Sequence, residues 1–412
     1  MVRRLVLFLE MHQPRRLRNA VLDKLCGLRG SEVDESVISS TIFNDEVNRE
    51  VLNRVSEKSY IPTLELMRQL GNEGFRAAIS MSGSLIEQLM MWKPDVIELL
   101  RGLVKSGIVE LIAEPYHHSL ASFISGDLFI DELRQHVEVN KSLFGKVPIT
   151  FENTEFLYRN DWGELMEKAG ASVVLTEGVD WVLGWRSPTY VYGAPNSRVR
   201  LLLRHYRLSD DIGFRFSNRS WDQWPLTADK YMAWIRATPG DFVLIGLDFE
   251  TFGEHHWRES GIFNFLEWLP KEARRSDVSF IHPSTLVNED PVDYIDIPSI
   301  ISWADVEKDD SAWQGNELQR IALNHVASLR ELMSAYGLEK IWRHLLTSDH
   351  YYYMSMKHGP SGEVHSYFNP YDSALTAFKT IEDVAIGLPC ALANMTISRG
   401  GMYKNRSSIM RK

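Results

Sequence analysis

Two acidic residues follow apolar runs that have the character of buried strands. Glu155 ends the stretch ITFENTE, and Asp248 ends the stretch LIGLD. Cleavage of a glycosidic bond needs two carboxyl groups flanking that bond, about 5–5.5 Å apart in enzymes that retain the anomeric configuration. One carboxylate attacks the anomeric carbon, and the other group must stay protonated, which requires a pKa raised by burial or by a like charge. We therefore take the pair as a candidate for glycosidic chemistry, supported by Glu250 two residues beyond Asp248.

A metal site is the alternative interpretation of the stretch GLDFETFGEHHW. Histidines that could join Asp248 in such a site are His12, His117, His118, His255 and His256. Adjacent histidines on an extended chain point to opposite sides, so each pair offers one ligand to a site. Neither an HExxH nor a CxxC motif is present. The sequence therefore favours a site without metal or cofactor, in which neutral histidines contact hydroxyl groups.

Aromatic residues favour a sugar ligand. The chain has 12 Trp, 15 Tyr and 18 Phe. Flat rings offer apolar faces, and Trp adds a polar edge, which suits the mixed faces of a pyranose. Trp257 directly follows the two histidines, and we expect it to shape a sugar subsite. Asp349 and His350 precede three tyrosines, where simple packing needs no acid–histidine pair; a helix cap is the alternative.

Composition and charge exclude several classes of function. The net charge of -10 and the pI of 5.8 argue against a protein that binds nucleic acid, which needs a basic face. The two cysteines, Cys26 and Cys390, can form neither a disulfide framework nor a four-thiolate zinc site. No run of about 18 apolar residues is present. We expect a cytoplasmic protein that binds neither nucleic acid nor membrane.

Seven short apolar runs must position the candidate residues. They cover 5–12, 75–82, 107–114, 147–155, 171–178, 199–206 and 241–250. Several are apolar on both faces, as in a covered parallel sheet, and helical patterns lie between most of them. The alternation predicts an α/β fold with an incomplete (β/α)7 barrel. Chemistry in such barrels lies at the carboxyl ends of the strands, where polar residues collect here at His12, 80–84, 114–118, 152–155, Glu177, 204–206 and 248–257.

The strand signal ends near residue 280. A Pro-containing stretch follows, and beyond it the periodicity is helical. We therefore predict a catalytic barrel over 1–280, a linker over 281–300 and a C-terminal helical-bundle domain over 301–412 that contributes to the active site.

Five stretches resemble, in order, the motifs of glycoside hydrolase family 57, the α-amylase and 4-α-glucanotransferase family. They are MHQP (11–14), GIVELIAEPYHHSL (107–120), FENTEFLY (151–158), GLDFETFGEHHW (246–257) and TSDHYYYM (347–354). Each motif is short, but five in the same order form a specific pattern. The similarity is to the α-amylase-like branch, and it continues through 176–188 and 301–317.

The resemblance implies a fold, an activity and residue roles. It implies an incomplete (β/α)7 barrel followed by a helical bundle, and retaining cleavage or transfer at α-1,4-glucan bonds without a metal. Carried over by motif, Glu155 is the nucleophile and Asp248 is the general acid/base. The substrate-binding positions carried over in the same way are His12, Asp349, His350 and one or both of His117 and His118.

These expectations leave the reaction partly open. We expect α-amylase-type hydrolysis of an α-glucan or maltooligosaccharide, and the alternative is a 4-α-glucanotransferase that uses the same residues. The two differ in whether water or a sugar hydroxyl takes the glycosyl group. Alternatives of other classes are a metal-dependent polysaccharide deacetylase and a glucan-binding protein without catalysis.

Overall fold

The strands form one sheet with a parallel barrel at its centre. The computed structural model describes residues 1–29 and 34–409 of the chain. The strands of this part are β1 (Arg4–Met11), β2 (Ala77–Met81), β3 (Val109–Ile112), β4 (Thr150–Phe151), β5 (Val173–Glu177), β6 (Tyr192–Gly193), β7 (Arg200–Arg204), β8 (Phe242–Asp248) and β9 (Ser279–Phe280). Seven of them are parallel neighbours in the order β3-β2-β1-β8-β7-β5-β4.

A single parallel bridge brings the two ends of this order together. Ala113, just after β3, pairs with Phe151 of β4. The Ala113 N–H donates to the Thr150 carbonyl at 3.0 Å, and the Glu152 N–H donates to the Ala113 carbonyl at 2.9 Å. The seven parallel strands therefore nearly close into a barrel, which confirms the predicted (β/α)7 architecture. Outside the ring, β6 pairs antiparallel with β7, and β9 pairs with β1.

Alternate residues of β1 face two different apolar clusters. On β1, Val6 and Phe8 belong to a small cluster that also contains Leu244 of β8, inside the barrel. Leu7 and Leu9 belong to the larger cluster between the sheet and the helices. Because successive side chains of a strand point to opposite faces, both faces must be apolar. This requirement explains the unbroken apolar runs in the sequence.

Helices follow most of the parallel strands and continue after the barrel. The π-helical turn Ser56–Tyr60 joins α3 to α4. The α-helices of the described chain are α1 (Leu22–Gly27), α2 (Glu35–Ile42), α3 (Asp45–Val55), α4 (Ile61–Leu70), α5 (Gly83–Trp92), α6 (Pro94–Lys105), α7 (Ala121–Ile124), α8 (Gly126–Phe144), α9 (Asn160–Ala169), α10 (Asp180–Leu183), α11 (Tyr206–Gly213), α12 (Ala228–Ala237), α13 (Ile262–Arg275), α14 (Ser311–Gln314), α15 (Glu317–Ser328), α16 (Arg330–Ala335), α17 (Glu339–Leu345), α18 (Ser348–Tyr352), α19 (Gly359–Phe368) and α20 (Ala374–Ile409). None of these helices is both long and apolar enough to cross a membrane.

The chain packs as two units, each of which combines segments that lie far apart in the sequence. One unit combines 1–13 with 50–309 and contains the barrel, and the other combines 14–49 with 310–412. Within the second unit, a Cβ added at Gly387 of α20 would meet the side chain of Leu25 of α1 at 2.6 Å. This close packing joins segments that lie far apart in the sequence, so no local pattern reveals it. The division into 1–280, 281–300 and 301–412 stays a prediction.

The turn after β8 depends on a glycine. Gly253 has φ +108°, and a Cβ built there would lie 2.0 Å from the Lys58 carbonyl oxygen. We predict that Gly253→Ala lowers the free energy of unfolding of the barrel by about 3 kcal/mol or more, because strain and a backbone clash add. Gly74→Ala is the matched control, since Gly74 has φ +87° with no atom within 4 Å of its added Cβ.

Urea unfolding of both variants measures the difference. The control should lose only the strain of a left-handed backbone, about 1–2 kcal/mol. Equal losses in the two variants would show that the clash with the Lys58 carbonyl has no cost.

Candidate active site

Polar side chains form a layer inside the barrel at the carboxyl ends of the strands. On β1, Glu10 follows Phe8 on the interior face, and on β8, Asp248 continues the interior face of Leu244. The parallel register pairs Glu10 with Ser80 on one side and with Asp248 on the other, so the three lie in one row. The polar layer consists of Glu10, Ser80, Glu114, Glu152, Glu177, Arg204 and Asp248.

Glu155 lies on a strained turn directly after β4. Glu155 has φ 57°, and the next residue, Phe156, has φ 56°. Left-handed backbone costs about 1–3 kcal/mol at a residue other than glycine, and it clusters at functional sites where the surroundings hold it. The Phe156 N–H donates to the Asn153 carbonyl at 2.9 Å, and the Trp303 N–H donates to the Glu155 carbonyl at 3.2 Å. These bonds fix the direction in which the Glu155 side chain leaves the turn.

Two ring N–H groups hold the Glu155 carboxylate, which keeps 25% of its side chain exposed. The Trp303 indole N–H donates to Oε2, and His118 Nε2 lies 3.5 Å from Oε1. The Trp303 ring packs against Phe156 at 4.8 Å, and the Arg204 guanidinium lies 5.6 Å from it. Glu155 is therefore reachable from solvent and oriented by fixed partners.

On the side of its ring away from Glu155, His118 contacts buried carboxylates. Its Nδ1 lies 2.6 Å from Glu114 and 3.5 Å from Glu10. Burial by itself lowers the pKa of His118, but the negative charges of Glu10 and Glu114 outweigh it and raise this pKa well above its usual range. The raised pKa favours the doubly protonated imidazole, which donates to Glu114 and towards Glu155.

The carboxylates behind His118 lie close together and are buried from solvent. Glu10, Glu114 and Glu152 are at most 4% exposed. Burial raises the pKa of Glu10 and of Glu152 well above the usual range, and neighbouring carboxylates raise both further. Neither oxygen of Glu152 accepts a well-formed hydrogen bond. Burial therefore shifts both carboxyl groups towards the neutral form, whereas the nearby His118 lowers the pKa of each.

An ion-pair network completes the layer on the far strands. Arg204 of β7 contacts Glu177 of β5 at 2.8 Å and Asp210 at 2.7 Å, and its Nε donates to the Gly246 carbonyl at 2.9 Å. Lys308 adds a second cation 3.1 Å from Glu177. Arg204 thus joins β5, β7 and β8 and lies over the indole that holds Glu155.

His12 and His117, two other histidines of the predicted substrate-binding set, have different partners. His12 stacks on His118 with 4.0 Å between ring centroids, and its Nδ1 lies 2.7 Å from the Ser82 hydroxyl. His117 is fully buried, and its Nδ1 contacts Glu132 at 2.9 Å. The structure thus brings His12 and His118 together beside Glu155, whereas His117 is held by α8.

Asp248 ends β8 with a partly exposed side chain, and Glu250 follows on the short 3-10 turn Phe249–Thr251. Glu250 is 6% exposed, and its Oε1 accepts hydrogen bonds from the Tyr60 hydroxyl and, at 3.1 Å, from the Gln13 amide. Burial raises the pKa of Glu250 to about 8, and the charge of Asp248 raises it as well. Glu250 is therefore a neutral acid beside Asp248 at neutral pH.

His256 of the stretch GLDFETFGEHHW anchors the loop after β8, and Trp257 is the exposed last residue of that stretch. His256 Nε2 donates to the Ile212 carbonyl at 2.8 Å, and its Nδ1 lies 2.8 Å from the Ser217 hydroxyl. Burial lowers the pKa of His255 to about 4 and also lowers that of His256, so both rings are neutral. The Trp257 side chain is 66% exposed.

Asp349 and His350 lie in the second unit, on α18. His350 is 3% exposed, and Asp349 accepts a hydrogen bond of 3.3 Å from the Tyr353 hydroxyl. Neither is the N-cap of α18, because Thr347 holds that position. The substrate-binding role of Asp349 and His350 stays a prediction.

In the barrel unit, one group of residues behind Glu155 has side-chain atoms close enough together to bind a metal ion. Glu10, Glu114 and His118 have ligand atoms within 4.8 Å of one another. Among the described residues, His12, His255 and His256 join no such group. The alternative metal site in the loop after β8 therefore has no such group of ligand atoms among the described residues, and the absence of a metal from catalysis stays a prediction.

Three functional neighbours were not identified in the sequence. Glu10 gave a signal, since it is a single charge in the run LVLFLEM. The contacts of Tyr60 with Glu250 and of Trp303 with Glu155 gave no local signal, because each joins residues far apart in the chain.

Comparison with known proteins supports the resemblance. The family model for glycosyl hydrolase family 57 matches residues 6–298. A protein of Methanocaldococcus jannaschii, named "Putative alpha-amylase", is 41% identical over 386 residues, which cover 90% of this chain and 80% of that protein.

Two solved structures share the fold at low sequence identity. A GH57 branching enzyme from Thermococcus kodakaraensis has a TM-score of 0.63 at 16% identity, over 89% of this chain and 87% of that chain. The 4-alpha-glucanotransferase from Thermococcus litoralis has a TM-score of 0.57 at 16% identity, over 84% of this chain. This chain spans about half of that glucanotransferase, 48% of its length.

The family match covers well over half of the chain, and the 41% identical relative is matched over nearly all of it. Both findings confirm the resemblance to the family and the expectation of an enzyme of the glycoside hydrolase or glucanotransferase kind. The chain therefore belongs to glycosyl hydrolase family 57.

Proposed function

We propose that the protein cleaves α-1,4-glucans with retention of configuration, using Glu155 as nucleophile and Asp248 as general acid/base. The observation that carries the proposal is the environment of Glu155. It is a partly exposed carboxylate on a strained turn, oriented by the Trp303 indole and His118, whereas Glu10, Glu114 and Glu152 are buried. Asp248 faces the same interior from β8.

The reaction proceeds in two displacements. Glu155 attacks the anomeric carbon and forms an ester bond to it while Asp248 gives its proton to the departing glycosidic oxygen. Asp248 then takes a proton from the incoming acceptor, whose oxygen replaces the Glu155 oxygen on the anomeric carbon. With water as acceptor the reaction is hydrolysis, and with a glucan hydroxyl it is transfer. We propose hydrolysis, with 4-α-glucanotransfer as the alternative.

Neighbouring groups fit the binding of a neutral sugar. His12 lies beside His118 at the carboxyl end of β1, and Trp257 offers an exposed indole on the loop after β8. Because Glu250 is neutral up to about pH 8, it adds no second negative charge beside Asp248. We therefore assign His12, His118, Glu250 and Trp257 to the substrate site, together with the family positions Asp349 and His350.

The nucleophile and acid/base assignments make a direct prediction. We expect Glu155→Gln and Asp248→Asn each to lower kcat on maltooligosaccharides by at least about 10³-fold, because each removes a group needed in the transition state. Glu98→Gln is the control, since Glu98 is an exposed helix residue whose side chain is 66% accessible. Turnover near the wild-type level in either variant would refute the assignment, and NMR of the first product should detect the α anomer.

Maltotriose distinguishes the two acceptors. If water is the acceptor, chromatography of the products will show glucose and maltose only, at early and late times. Oligomers longer than maltotriose would require a glucan acceptor and would replace the hydrolase proposal by the glucanotransferase alternative.

The buried acid Glu250 predicts a pH dependence of stability. Its pKa is about 8 in the folded protein and about 4.3 in an unfolded chain, so between these values only the folded state holds the proton. The stability that this proton contributes is fully present below the unfolded pKa, and it is lost as the pH rises to about 8. Glu250→Gln keeps an acceptor for Tyr60 but cannot titrate.

Urea unfolding of both proteins between pH 4 and pH 9 tests this. The free energy of unfolding of the wild type minus that of Glu250→Gln should fall with pH by a few kcal/mol, on the order of 1.4 per pH unit. Parallel curves would contradict the raised pKa.

A further inference from the structure

An aromatic cavity lies outside the polar layer, between the segment that leads into α12 and one side of α13. Its volume is about 380 Å³, within the range of ligand pockets, roughly 300–1,000 Å³. Its lining includes Trp224, Thr227, Asp229, Ser260, Asn264 and Trp268. The side chains of Trp224 and Trp268 are 43% and 46% exposed, which is unusual for two tryptophans at one cavity. We call this cavity the Trp224–Trp268 groove.

The two indoles are held in place by neighbouring cations. Lys271 lies 4.7 Å from the ring of Trp268, and Arg219 lies 5.8 Å from the ring of Trp224. Such contacts stabilise an exposed ring by about 0.5–1 kcal/mol and limit its motion. The rings nevertheless keep almost half of their surface accessible, so each offers a flat apolar surface that is already oriented.

The charges around the groove do not select an ionic ligand. Asp229 and Glu272 line it, but Glu272 is paired with Arg275 at 2.6 Å, and Lys271 is close by. Both signs of charge are present, so neither a phosphate nor a cationic ligand is favoured. Flat apolar rings with hydroxyl, amide and carboxylate groups around them suit a neutral polyhydroxylated ligand with apolar faces, which is the chemistry of a glucan chain.

The groove borders the segment that follows the loop after β8. The chain leaves β8 at Asp248, passes the exposed Trp257 and enters α13 through Ser260 and Gly261, which border the groove. One short segment of the chain thus connects Asp248 with the groove.

We propose that the Trp224–Trp268 groove is an auxiliary binding site for α-glucan chains, separate from the site of bond cleavage. It holds a segment of a long polymer and raises the local concentration of that polymer at the active site. The inference rests on the proposed function for the identity of the sugar, but it concerns binding and not turnover.

The test measures starch binding in a Glu155→Gln background, so that substrate is not consumed. Co-sedimentation with insoluble starch should show about 3- to 10-fold weaker binding for Trp224→Ala and for Trp268→Ala, and a larger loss for the double variant. Trp268→Phe keeps an aromatic face and should stay near the starting affinity. Trp185→Ala is the matched control, because Trp185 is 86% exposed and does not line the groove.

In the otherwise wild-type protein, the groove variants should hydrolyse maltotriose at an unchanged rate and soluble starch with a raised KM. Starch binding that stays unchanged in the double variant would overturn the inference, even if maltotriose is cleaved. Dissociation of a homodimer by the double variant, with unchanged starch binding, would overturn it in favour of a protein interface. If Trp-dependent starch binding persists while no glucan is turned over, the proposed function fails and the groove assignment stands.

Discussion

The burial of ionisable groups at one end of the barrel is the constraint on which the site depends. The interior faces of the strands are apolar up to Phe8 and Leu244, and then become polar at Glu10, Asp248 and their neighbours. A charge removed from water must be paired or neutralised. The molecule uses both solutions: Arg204 pairs with Glu177 and Asp210, whereas burial raises the pKa of Glu10 and of Glu152 beside His118.

This constraint also orients the proposed nucleophile. His118 is fixed by Glu114 on one side, so its other nitrogen is directed at Glu155. Trp303 holds the second carboxylate oxygen, and Arg204 and Phe156 pack on its ring. The carboxylate of Glu155 is therefore held by two ring side chains, His118 and Trp303. These contacts, and the hydrogen bond from the Trp303 N–H to the Glu155 carbonyl, offset the strain of its left-handed backbone. A site fixed in advance in this way favours electrostatic stabilisation of a transition state.

The outer surface, unlike the interior, leaves several aromatic side chains exposed. Near Asp248, the loop after β8 anchors His256 to backbone carbonyls and leaves Trp257 exposed. Farther along, Trp224 and Trp268 stay exposed beside paired charges. An exposed indole loses hydrophobic stabilisation that burial would provide, so the exposure of Trp224 and Trp268 at one cavity agrees with the proposed binding of a polymeric ligand there.

The sequence by itself determined the features that repeat locally. Strands with two apolar faces and helices between them are visible in the spacing, so the (β/α)7 barrel could be predicted, and the motifs identified the family. The position of Glu155 and Asp248 after strand-like runs is visible in the same way, and their catalytic roles stay a proposal. Tertiary structure decided which side chains meet. Trp303 reaches Glu155 across 148 positions, Tyr60 reaches Glu250 across 190, and residues 14–49 pack with 310–412. It also separated His118, which faces Glu155, from His117, which faces Glu132. Periodicity records only which face of an element is buried, whereas these pairings depend on how distant elements pack, and that packing is a property of the whole chain.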